Sequence, residues 1–68
     1  MKSFGLLLHA VCEVSREEPG KPVYIWISPA GWSVDTRKDA VGTAPSFMID
    51  AAGAAQWTHL AESRLVST

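Results

Sequence analysis

Phe4-Gly5-Leu6-Leu7-Leu8-His9-Ala10-Val11-Cys12-Glu13-Val14-Ser15 is the stretch whose reading decides the fold. Phe4, Leu6, Leu8, Ala10, Cys12 and Val14 are all apolar, and the residues between them are mixed. Alternate side chains share a face of a strand, so this period of two predicts a long first strand with one continuous apolar row. The loop Arg16-Glu17-Glu18-Pro19-Gly20-Lys21-Pro22 is charged and broken by Pro and Gly, and it ends that strand.

Downstream, Val23 to Ser28 has β-branched and aromatic residues on both faces. Val23, Ile25 and Ile27 point one way, and Tyr24 and Trp26 point the other. A strand apolar on both sides belongs in the middle of a sheet, or its second face meets something else. Ser28-Pro29-Ala30-Gly31 reads as a tight turn, because Pro presets its own φ and Gly accepts a positive one. Trp32, Val34 and Thr36 then alternate with Ser33, Asp35 and Arg37, which predicts an antiparallel hairpin.

The connection from Asp35 to Ala44 is polar and rich in small residues. Residues 46–49 fit either a short fourth strand or the start of a helix. From Asp50, a plausible N-cap, the period lengthens. Ala51, Ala54, Ala55, Thr58, Ala61 and Leu65 fall at helical spacing, with Trp57 and Leu60 beside them. Leu65 to Thr68 is expected to fray. The expected architecture is a small two-layer α+β domain: an antiparallel sheet of three strands, or four if 46–49 pairs, with one C-terminal helix on one face (β-β-β-α). Residues 1–68 make a single domain.

Composition bounds the function. The chain has 68 residues, 47% of them hydrophobic and 19% charged, three Trp, one Cys and a net charge of −1. A chain this short buries a small core and usually needs a staple or a partner. The single Cys12 excludes an internal disulfide. Lys2, Arg16 and Lys21 balance Glu13, Glu17 and Glu18 in the first half, and the second half is slightly acidic, so neither half carries a basic stripe for phosphate. The start, Met1 to Cys12, has an uncharged core like a secretory leader, but His9 interrupts it and Val11 does not fit a lipoprotein cleavage site. No stretch is as long and apolar as a membrane span. A cytoplasmic protein is expected.

Catalytic, cofactor and metal sites are not expected. His9 and Cys12, three apart on a strand, would point to opposite faces, and His59 is remote in sequence. Asp35 and Asp39 flank Arg37-Lys38 in what reads as a solvated loop, as do Glu17 and Glu18. Ser28, Ser33 and Ser46 lack the Gly-x-Ser-x-Gly context, and no glycine-rich phosphate loop is present.

The informative residues are aromatic. One helix cannot cover both faces of the sheet, so Tyr24 and Trp26 are expected in an exposed apolar patch, the kind that marks an interface. The expected function is a non-enzymatic protein-interaction module, acting through this uncovered face or by homodimerisation. Tyr24, Trp26 and Trp32 would be the anchors, with Arg37 and Lys38 on the rim. By analogy of size alone, small phage and mobile-element inhibitors that occlude a host protein complex are comparable. The alternatives are a nucleic-acid-binding regulator using Lys21, Arg37 and Lys38, and a small enzyme at a dimer interface with His9 or His59 as general base.

Overall fold

The computed structural model describes the backbone of residues 4–67 and the side chains of residues 5–60. Its elements run α1 (Phe4–Glu17), β1 (Val23–Ser28), β2 (Gly31–Asp35), β3 (Phe47–Ile49) and α2 (Ala51–Ser67). The expected first strand is therefore a helix, and the order is α-β-β-β-α rather than β-β-β-α.

The reason lies in the spacing of the polar residues. Leu7, Val11, Cys12 and Ser15 are buried and Val14 packs against the core, a stripe that repeats every three to four residues. Leu6, His9, Glu13, Arg16 and Glu17 occupy the exposed side. His9 Nε2 lies 3.3 Å from Glu13 Oε1, the i, i+4 approach that only a helix provides. The even-numbered row of the strand reading is split: Leu6 is 55% exposed, whereas Cys12 is 3% exposed. The Phe4 side chain lies outside the described residues. Glu18 N donates to Val14 O at 3.1 Å, and Pro19, with no N–H, ends the ladder there.

The hairpin forms where the sequence places it. Ser28 pairs with Gly31, Ile27 with Trp32, Trp26 with Ser33, Ile25 with Val34 and Tyr24 with Asp35. Pro29 and Ala30 make the loop, and Gly31 sits at φ 142°, which side-chain-bearing residues rarely adopt. Within 46–49, Phe47–Ile49 forms a strand: β3 pairs antiparallel with the other edge of β1 in the register Val23↔Ile49, Tyr24↔Met48, Ile25↔Phe47. The sheet order is β2-β1-β3, so the strand that is apolar on both faces is the central one.

Val23 and Ile25 face the helices and join Leu7, Val11 and Ala54 in the core, with Val14, Trp32, Val34 and Ile49 packed around them. α1 lies over β1 and β2, and α2 packs chiefly against α1. The expectation of a lone C-terminal helix on the sheet is thus corrected on two points. There are two helices, and α2 meets another helix before it meets the sheet. Its small residues serve that contact: Ala54 is completely buried, and the buried Thr58 turns its hydroxyl onto Ala54 O at 3.0 Å. Asp50 is the N-cap, its Oδ1 accepting from Gly53 N at 2.7 Å. Gly53 also suits the corner sterically, since a Cβ there would come within 3.1 Å of both Asp50 Oδ1 and Ile49 Cγ2. The backbone of α2 continues to Ser67, past the point where fraying was expected, while the side chains of Ala61 and Leu65 lie outside the described residues.

Candidate protein-interaction surface

β2 and β3 are the two edges of the sheet, so the chain between them must cross the central strand. It crosses on the face away from the helices, where Tyr24 and Trp26 project. Trp26 Nε1 donates to Thr43 O at 2.8 Å, and the Trp26 side chain is only 7% exposed. Tyr24 is half-buried, its ring 6.5 Å from that of Trp26 and tilted by 46°. The aromatic face is therefore covered at Trp26 by residues 36–46 of the same chain. The second apolar face of β1 does meet something, and that something is intramolecular.

The five residues expected to form one site do not converge. Tyr24 and Trp26 share the face away from the helices. Trp32, directly opposite Ile27, lies on the helix-side face and packs against the core. Arg37 and Lys38 are exposed at the start of the crossing segment. Arg37 is engaged locally: its backbone N–H donates to Asp35 Oδ1 at 2.9 Å, and its Nε approaches the same oxygen at 3.4 Å. Lys21 lies 3.9 Å from Glu18 Oε1, so two of the three cations of the nucleic-acid reading already have carboxylate neighbours. Glu18 also accepts a hydrogen bond from the Thr36 hydroxyl, which ties the end of α1 to the end of β2.

The Arg37 side-chain and backbone hydrogen bonds hold the Asp35 carboxyl below the usual carboxylate range. A depressed carboxylate stabilises the fold above its unfolded-state value, and that stabilisation disappears as pH falls through the lowered folded-state value. Arg37→Ala is expected to raise the Asp35 titration midpoint towards normal, as read by carboxyl-carbon NMR. The stability gap between the two proteins should be present at neutral pH and close in acid. The effect is small because the pair is solvent-exposed.

The histidine and cysteine of α1 are separated differently from the strand expectation. Three residues apart on a helix they are neighbours along its surface, but His9 faces solvent beside Glu13 and Cys12 is buried. Among the described residues no three or more His, Cys, Asp or Glu side chains gather as a metal site. No helix among them is long and apolar enough to cross a membrane.

Large hydrophobic side chains stay exposed on several elements, Leu6 on α1 and Leu60 on α2 among them, and three gather at the β1–β3 end of the sheet. Phe47 is 57% exposed, Met48 56% and Ile27 51%. Ile27 and Phe47 share the helix-side face at the end the helices leave exposed, where Ile27 adjoins the half-buried Trp32, while Ile49 at the other end of β3 packs against the core. Met48 projects from the other face beside Tyr24. The sequence had placed Ile27 on the face of Val23 and Ile25. The missing information was that the helices would leave this end of that face open. No family model, no curated protein and no solved structure matches the chain.

Proposed function

We propose that this chain is a small non-enzymatic protein-interaction module that binds through the apolar side chains at the open β1–β3 end of its sheet. The observation that carries the reading is the exposure of Ile27, Phe47 and Met48, each more than half exposed. A short chain that leaves large hydrophobic side chains in water while its buried core is small gains stability by covering them. Trp32 borders this area. Tyr24 adjoins it through Met48, whereas Trp26 supports it from beneath the crossing segment. Such a module acts by occlusion, covering a surface of its partner, as an inhibitor of a host complex does, and this requires no catalytic group.

The test compares proteins retained from host extract by the wild-type chain and by two folded variants, Phe47→Glu and Lys38→Ala. A species retained by wild type and by Lys38→Ala, but lost with Phe47→Glu, supports the reading. Identical retention by all three overturns it.

A further inference from the structure

The backbone of β3 has one residue whose hydrogen-bonding groups face outward. Ile25 O accepts from Ser46 N at 2.8 Å, and Ile27 N donates to the Ser46 hydroxyl at 3.0 Å, so the odd-numbered residues of β1 direct their groups towards β3. Bonding direction alternates along an antiparallel ladder. With Ile25 opposite Phe47 and Val23 opposite Ile49, Tyr24↔Met48 is the non-hydrogen-bonded pair. The Met48 N–H and C=O therefore point away from the sheet at its free edge.

Proteins usually guard such an edge with charge, proline, a bulge or shortness. Across Phe47–Ile49 shortness is the only guard, and the strand is flanked by exposed apolar side chains on both faces. We propose that β3 is a self-association edge, at which a second copy of this chain pairs antiparallel through its own β3. This rests on the protein-interaction reading above and adds a second copy of the chain as an occupant of the same exposed edge.

Register selects the arrangement. A two-fold axis at Met48 sets Met48 against Met48, Phe47 against Ile49 and Ser46 against Asp50 of the second copy. Both outward-facing Met48 groups are then satisfied, and Phe47 lies on an aliphatic neighbour on the helix side. Centring on Asp50 instead opposes two carboxylates, and centring on Ser46 moves Ile49 off Phe47 and sets Pro45 there in its place. The strand is complementary to itself in the Met48 register, and a closed two-fold pairing leaves no β3 edge for further growth. The product is a six-stranded sheet, β2-β1-β3-β3-β1-β2, with both copies' helices on one side. On the helix side of β3, Phe47 remains 57% exposed, whereas Ile49 packs against the core. Three paired residues make a small interface, so association should be concentration-dependent.

Sedimentation equilibrium over a rising concentration series tests this. Wild-type mass is expected to climb from 7.3 kDa towards twice that value. Met48→Pro removes only the outward N–H, the one position in the strand where proline leaves the β1 pairing intact. Met48→Lys places two ammonium groups opposite each other at the seam. Both variants are expected to stay at the monomer mass with wild-type circular dichroism; if the proline variant unfolds, the lysine variant decides. A wild-type protein that remains monomeric at millimolar concentration overturns the proposal, as does a dimer that persists in Met48→Lys. A monomeric wild type that still retains a foreign protein in a Phe47-dependent way defeats self-association alone and leaves the interaction reading standing.

Discussion

Trp26→Ala is expected to unfold most of the protein rather than to strip a binding surface from an intact domain. The indole is 7% exposed, bonded to Thr43 O, and forms the contact between the 36–46 segment and the far face of the sheet. Truncating a buried Trp to Ala costs about 3–5 kcal/mol. At ordinary per-residue stabilities, a 68-residue domain has roughly 3–10 kcal/mol in total. Urea unfolding followed by circular dichroism should show the midpoint falling to near zero denaturant. Trp26→Phe separates the two contributions, because it keeps most of the ring and removes the Nε1 donor. It should cost a small part of the full effect, with the loss centred on the 36–46 segment. A Trp26→Ala protein with a wild-type midpoint would show that this segment does not seal the face, and the aromatic surface expected from the sequence would be restored.

The second large effect separates helix from strand in residues 4–17. Leu7 is 7% exposed in the core, and its neighbour Leu6 is 55% exposed. Leu7→Lys buries an ammonium group among Val11, Val23 and Ile25 and should cost several kcal/mol, about the whole stability of the domain. Leu6→Lys should change stability by about 0.5 kcal/mol or less. A period of two assigns the roles the other way, with Leu6 in the apolar row. Thermal midpoints of the two variants therefore discriminate the readings directly: a Leu6→Lys protein less stable than Leu7→Lys would refute the helix.

Why the strand reading failed is visible in the residues. Apolar residues are so dense from Leu6 to Val14 that they satisfy a period of two and a period of 3.6 at once. The discriminating signal was polar: His9, Glu13 and Arg16 stand four and three residues apart and line one helical face. Length also argued for a helix, since a strand spanning residues 4–15 exceeds the ordinary range of about 3–10 residues. The cover over Trp26 is hidden in the sequence for a different reason. Trp26 and Thr43 are 17 residues apart, and no local pattern in 36–46 shows that its backbone will turn back to meet an indole.

The sequence by itself determined the features whose causes lie within a few residues. Pro29 and Gly31 fixed the hairpin and its register, the two apolar faces of Val23–Ser28 made that strand central, and Asp50 with its carboxylate on Gly53 N set the start of α2. Tertiary structure alone decided which faces are covered. α1 took the place over β1 and β2, α2 settled on α1, and the 36–46 crossing closed over Trp26, leaving Ile27, Phe47 and Met48 in solvent. Coverage depends on which distant segments are long and apolar enough to reach a given face, and that competition is settled by the whole chain at once.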